Sequence, residues 1–231
     1  MKKRNFYNLV SALICQLIKI PFTQRFFLKV YDTAFKTYYN FEKYRQDDPW
    51  LFESDFQRKR IRAMVDFISD RHWHHCLDIG CADGYITSKF VPYCDRITGV
   101  DISDYAIEQA KKKFAHPKIQ YFAESARTYE MGKYDLVILG DVLYCFSQNL
   151  PQAVFLEIIQ KICHHVRKGG GILLTSYLPR SSKSSKFILG YSQNYLKIFK
   201  SLGFVPKRKK VIVGYKEGKI FKDQIVLLNN Q

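Results

Sequence analysis

The apolar positions of the chain change period from one stretch to the next, and that change predicts its elements. Phe6, Leu9, Val10, Leu13, Ile14, Leu17 and Ile18 fall mostly three and four apart, the spacing of one helical face. The helical pattern runs to about Tyr44 with a break near Pro21, and Asp48-Pro49 interrupts the chain. Ser54 to Ile68 returns to helical spacing, with Phe56, Ile61, Met64, Val65 and Ile68 apolar. Beyond it, short apolar runs alternate with helical stretches. Strands are predicted at Cys76–Gly80, Arg96–Asp101, Ile119–Phe122, Tyr134–Leu139 and Gly171–Ser176. Helices are predicted at Tyr85–Val91, at Tyr105–Phe114 with Asp104 as N-cap, and at Ala153–Val166. A linker rich in Ser and Lys, Pro179–Lys186, leads to a helix over Ser192–Leu202 and strands near Lys210–Gly214 and Gln224–Leu228.

Strand and helix alternate, which predicts a doubly wound, largely parallel α/β sheet. Two parts follow: an N-terminal helical cover over residues 1–70 and a Rossmann-like domain over residues 71–231. The first apolar stripe has two uses. It can cover the core of its own domain, or it can give peripheral membrane contact through residues 5–20 with the basic N-terminus on anionic lipid. Asn8, Gln16 and Lys19 interrupt the stripe, and no cleavage site of small residues follows, which argues against a signal peptide. No uninterrupted apolar run reaches the roughly 18 residues of a spanning helix.

Composition narrows the class. At 47% hydrophobic and 25% charged residues, the 231-residue chain is globular, not collagenous, disordered or a disulfide scaffold. Its six cysteines include no C-x-x-C pair and sit mostly in apolar runs, so a cytoplasmic location with reduced, buried thiols is expected. Charge is the unusual quantity: 37 Lys+Arg against 21 Asp+Glu, a net of +16. Residues 1–75 hold 14 basic and 8 acidic groups, residues 76–159 hold 8 and 11, and residues 160–231 hold 15 and 2. A slightly acidic block lies between two basic flanks, and the flanks favour an anionic partner or acceptor.

The acidic block carries the chemistry. Leu77-Asp78-Ile79-Gly80-Cys81-Ala82-Asp83-Gly84 joins the first strand to the first helix, where glycine lets the backbone approach a ligand. The G-x-x-x-G spacing is neither a dinucleotide fingerprint nor a P-loop. Asp101 ends the second strand, where a carboxylate can accept both hydroxyls of a ribose, and Ile102 beside it can pack on a purine.

These motifs resemble class I S-adenosylmethionine-dependent methyltransferases over roughly residues 60–231. The resemblance implies a seven-stranded Rossmann-like sheet, mostly parallel with an antiparallel last strand, and S-adenosyl-L-methionine as cofactor. It implies a cofactor site of Asp78, Gly80, Cys81, Ala82 and Gly84 in the glycine loop, and Asp101 and Ile102 after the second strand. Glu124 and Ser125 follow the third strand; the family more often has Asp at the first of these. Asp141, in Gly140-Asp141-Val142-Leu143-Tyr144, falls beside the sulfonium and the transferred methyl. Ser201-Leu202-Gly203-Phe204 is similar to the step before the family's sixth strand. Asp48-Pro49-Trp50, Ser54, Phe56 and Arg58 to Arg62 look like the segment before the sheet in NodS-like nodulation N-methyltransferases, which methylate an amine on a chitooligosaccharide. Gln57 departs from the Glu usual there. This narrower likeness implies that Trp50 and a nearby Arg close over the cofactor.

A methyl on sulfur is already activated, so alignment and exclusion of water are the main demands. Asp141 is the candidate base or orienter, with Tyr144 one turn on. The expected reaction is methyl transfer to an N or O of a small-molecule or saccharide acceptor. The alternatives are an RNA methyltransferase whose Lys207-Arg208-Lys209-Lys210, Lys216, Lys219 and Lys222 track phosphates, and a membrane-apposed enzyme acting on a lipid-linked or anionic saccharide. The RNA alternative lacks the Pro-Pro of a [DN]-P-P-[YF] loop after the fourth strand. His72, His74 and His75, and Cys163 with His164 and His165, do not have the spacing of a metal site, so no metal is expected.

Overall fold

The computed structural model describes residues 24–40, 48–178 and 194–230. The apolar stripe of residues 6–18 and the linker Pro179–Lys186 lie outside them. Helix α1 is Gln24–Tyr38 and α2 is Asp55–Ile68. Then come β1 (Trp73–Ile79), the one-turn α3 (Tyr85–Ser88), β2 (Cys94–Asp101), α4 (Asp104–Lys113), β3 (Ile119–Ala123) and β4 (Tyr134–Gly140). The rest comprises α5 (Leu143–Asn149), α6 (Gln152–His165), β5 (Val166–Leu178), a helix α7 over residues 194–201, β6 (Phe204–Lys216) and β7 (Lys219–Asn230).

The seven strands form one sheet in the order β3-β2-β1-β4-β5-β7-β6. β1 to β5 run parallel, and β7 is antiparallel to both its neighbours. Both faces are covered. Leu28 and Tyr31 of α1 join α6 and α7 residues such as Ile158 and Phe199 against Leu77, Ile79 and Leu174. Met64 and Phe67 of α2 and Ile107 and Ala110 of α4 pack the other face with Cys76, Ile97 and Leu136. Buried on both sides, the central strands have the continuous apolar runs that marked them in the sequence.

Several boundaries differ from expectation for local reasons. The helix expected over Tyr85–Val91 stops at Ser88, and a 3-10 turn, Val91–Tyr93, carries Pro92. α4 is capped by Ser103, whose hydroxyl accepts from the Ala106 N–H, and Asp104 stands in the first turn. β6 and β7 extend far beyond the apolar cores that signalled them. A run of four basic residues, Lys207 to Lys210, lies in the first half of β6, and a hairpin turn with Glu217 and Gly218 at positive φ joins the pair. α5 was unforeseen, because Leu143–Asn149 is too short to show a helical period.

The sheet order reverses between β1 and β4. In open α/β sheets ligands bind outside the carboxyl ends of the strands at such a switch point. α2 borders that opening on the β6 side, where Gly214 lies so close that an added Cβ would stand 2.6 Å from the Phe56 Cα.

Candidate functional site

A cavity of about 390 Å³ opens at this switch point. The turn after β1 forms its floor. Gly80 and Gly84 have φ of +76° and +82°, and Ala82 shares the left-handed region at +52°. The Gly80 and Cys81 N–H groups donate to the Val100 carbonyl at 2.7 and 3.2 Å, which ties the turn to β2. A Cβ on Gly80 would stand 2.7 Å from Cγ2 of Val142, so glycine there lets the turn meet the loop after β4.

Two carboxylates lie beneath the turn. Asp101 accepts from the Ala82 N–H at 3.0 Å through one oxygen and from the Ser103 N–H at 2.9 Å through the other. Each oxygen keeps further lone pairs for a ligand, and the plane of the carboxylate is set. Burial pushes its carboxyl up to about 6, although the two backbone N–H groups oppose the shift. Asp78, 3% exposed, accepts from the Thr87 hydroxyl at 2.6 Å. Burial, and secondarily the charge of Asp101, push its carboxyl up to about 7.

A stability effect follows from Asp78. A carboxyl raised in the fold favours folding fully below its unfolded value near 4, and that contribution is lost as pH rises toward about 7. Asp78→Asn keeps an acceptor for Thr87 and has no such dependence. The stability of the variant relative to wild type should therefore grow between about pH 4 and 7, by on the order of 4 kcal/mol. Urea unfolding at several pH values measures it; a flat difference would mean that Asp78 ionises normally.

α1 crosses over this half of the cavity and is fastened to loops after three strands. Asp32 pairs with Arg127 and accepts from the Ser125 hydroxyl at 3.4 Å, beyond β3. Asn40 accepts from the Ser103 hydroxyl at 2.5 Å, beyond β2, and Lys36 pairs with Asp104 at 2.7 Å. Tyr39 meets Cys145 Sγ at 3.5 Å, beyond β4.

The other half lies between the loop after β4, α2 and the β6–β7 hairpin. Asp141 has a φ of +57°, a conformation that Asp adopts more readily than most residues. One of its oxygens bonds Nη1 of Arg60, a side chain 3% exposed on α2. The same Nη1 lies 3.6 Å from Asp223 on β7, which is fully buried. The Trp50 carbonyl accepts from Gln57 Nε2 at 3.1 Å and from Lys216 Nζ at 2.7 Å, so cover and hairpin meet there. Desolvation against the cavity wall, then the neighbouring Cys145, raise the Tyr144 phenol above its ordinary value, although 39% of the residue is exposed.

Comparison with known proteins follows the same geometry. A family model described as Nodulation protein S (NodS) matches residues 40–190. The chain belongs to the NodS family. Nodulation protein S of Rhizobium tropici is 29% identical over 102 residues, which cover 42% of this chain and 43% of that protein. The chain thus spans about half the length of the curated relatives it matches. The crystal structure of the N-methyltransferase NodS from Bradyrhizobium japonicum WM9 with S-adenosyl-L-homocysteine superposes with a TM-score of 0.69 at 19% identity. The match covers 81% of this chain and 94% of that one. Magnesium protoporphyrin IX methyltransferase of Synechocystis PCC 6803 superposes at 0.64 with 16% identity, over 87% of this chain and 100% of that one. The fold is therefore that of these Rossmann-like methyltransferases.

The NodS-family cavity gathers nearly all residues singled out in the sequence. Asp78, Gly80, Cys81, Ala82, Asp101 and Ile102 line it, as do Glu124, Ser125, Trp50, Asp141 and Tyr144. Gly84 does not. It sits behind the turn, where a Cβ would stand 2.5 Å from Oη of Tyr121, so it is needed for packing. Arg60, from the run Arg58 to Arg62, lines the cavity together with Trp50. Asp223 was not foreseen, although an acid in a buried stretch of the most basic third of the chain is its trace in the sequence. Lys216, grouped in the sequence with cations that could track phosphates, turns inward to Trp50, while Lys207 pairs with Asp70 at 3.1 Å. His72 and His74 both face Asp95, at 2.7 and 2.8 Å. Among the described residues no group of three His, Cys, Asp or Glu side chains could hold a metal ion, and no helix is long and apolar enough to cross a membrane.

Proposed function

We propose that the chain is an S-adenosylmethionine-dependent methyltransferase that methylates an amine of a small-molecule or saccharide acceptor. The observation that carries this reading is Asp101. Its carboxylate is held by two backbone N–H groups beside a glycine turn at the switch point, an arrangement suited to a pair of ribose hydroxyls. Glu124 and Ser125 would hold the adenine amino group, Ile102 would pack on the purine, and the Gly80–Ala82 turn would take the amino-acid portion; that all of them line one cavity supports this reading. Asp78 secures that turn through Thr87. When bound, the cofactor supplies an activated methyl on a positively charged sulfur.

The protein's own part is to align and enclose. Trp50, held by Gln57 and Lys216, and α1, fastened to three loops, cover the cavity and exclude water. Asp141, at the end of β4, orients the acceptor amine and takes its proton, and Tyr144 donates a hydrogen bond beside it. In this reading residues 1–70 are the cover and residues 71–231 the cofactor-binding unit. The placement of α1 and α2 on the cavity supports that division. That NodS of Bradyrhizobium japonicum is an N-methyltransferase supports nitrogen as the acceptor atom.

Two measurements test the proposal. Calorimetry should detect S-adenosylhomocysteine binding, and saturating ligand should stabilise the fold by a few kcal/mol. Transfer of a tritiated methyl from the cofactor onto fractionated extracts should label an amine-containing small-molecule or saccharide fraction. Absence of heat and of thermal shift would refute the reading; label on RNA alone would replace the acceptor class.

A further inference from the structure

Behind the Asp141 side of the cavity lies a second, buried acid, Asp223. Arg60 is shared between Asp141 and Asp223, so two carboxylates meet one guanidinium. Asp223 is 0% exposed and neither of its oxygens makes a well-formed hydrogen bond. Oδ1 of Asp141, Nε of Arg60 and Oγ1 of Thr175, a cavity-lining residue 1% exposed, are buried and unbonded as well. The groups facing Asp223 are Arg60 from α2, Asp141 from beyond β4 and the backbone of Gln224. Lys216, the other cation on this side, is engaged with the Trp50 carbonyl.

A buried acid set against a second acid does not serve stability. Burying such a charge is costly, and an apolar side chain of similar size would pack at no such cost. The arrangement makes sense if something positive completes it. We propose that Asp223 is a specificity-determining residue. Acting through Arg60, and once ionised, it sets a second carboxylate against the one guanidinium that Asp141 uses, which selects a ligand with a cationic centre. This rests on the methyltransferase reading, in which such a centre has two sources: the sulfonium of the methyl donor or the ammonium of the acceptor. Burial, and next the charge of Asp141, push the Asp223 carboxyl upward, toward its neutral form. A cation entering the site then draws the proton off.

The test compares ligands that differ in charge at that point. S-adenosylhomocysteine is neutral at sulfur, whereas sinefungin carries an ammonium in place of the methylsulfonium. Glucosamine and N-acetylglucosamine form the second pair, titrated into protein saturated with S-adenosylhomocysteine. Calorimetry in buffers of different ionisation enthalpy, at mildly acidic pH, gives affinity and protons released for wild type and Asp223→Asn. We expect S-adenosylhomocysteine to bind the variant within about twofold of wild type. The preference for the cationic member of one pair should fall about tenfold or more, with loss of its proton release. A change in the sinefungin pair places the cation on the donor, and a change in the glucosamine pair places it on the acceptor. Should the variant fail to fold, the wild-type proton counts decide alone. Equal counts for charged and neutral members of both pairs overturn the proposal. Wild type that binds S-adenosylhomocysteine without any charge preference overturns this inference only, whereas wild type that does not bind it overturns the function as well.

Discussion

Asp101→Ala is expected to weaken S-adenosylhomocysteine binding about a hundredfold or more. The carboxylate is oriented before any ligand arrives, so two hydroxyl donors would find it in place. Hydrogen bonds to a charged group contribute about 1.5–3 kcal/mol each, and two make about 3 kcal/mol or more, at 1.4 kcal/mol per decade. Asp101→Asn keeps one acceptor and should lose roughly tenfold. The two variants separate lost contacts from a disordered turn, because the turn also depends on Asp101 through Ala82. The carboxyl sits near 6, so wild-type affinity should decline as pH falls through about 6. The Asn variant should lack that decline. Near-normal affinity in the Ala variant, by calorimetric titration, would remove Asp101 from the ribose.

The largest expected loss of stability is at Gly84. An added Cβ would stand 2.5 Å from Tyr121 Oη, 2.9 Å from its Cζ and 3.1 Å from the Ala110 Cβ, at a φ of +82°. Overpacking costs about 1–3 kcal/mol and the left-handed backbone about 1 kcal/mol more. Gly84→Ala should thus destabilise by about 3 kcal/mol, roughly 6–12 °C in Tm for a chain of this size. The neighbour supplies its own control. The Tyr121 hydroxyl is buried without a hydrogen bond, so Tyr121→Phe should be neutral or slightly stabilising. In the double variant, removal of that oxygen should recover about 1 kcal/mol. A double-mutant cycle in thermal unfolding reads the coupling, and zero coupling would show that the steric account is wrong.

The two halves of the cavity were unequally legible in the sequence. The cofactor half is built from contiguous residues at strand ends: a glycine turn after β1 and acids after β2 and β3. Chain order and chemistry coincide there, and local pattern suffices. The Asp141 half is assembled from α2, the loop after β4 and β7. Arg60 belongs to a basic run whose other members read as a solvated helix face, and only packing singles it out. Asp223 pairs across the sheet with Tyr177 and Ile212, partners that no local period connects. The strand boundaries show the same division. β4 is apolar throughout its core and was legible nearly to the residue. β6 is an edge strand whose first half holds the basic run Lys207 to Lys210, so only the apolar stretch around Val211 to Val213 could be read.

The sharing of Arg60 also has a consequence for how the protein is made. β7 leaves the ribosome after every strand it pairs with. Until then Arg60 has Asp141 as its sole acidic partner, in a balanced one-to-one pair. The parts that hold Asp101 and the glycine turn are synthesised long before. A nascent chain could therefore have its nucleoside cradle in place while its charge selectivity was still absent. Arrival of the closing strand, with Asp223, would turn an indiscriminate pocket into a selective one.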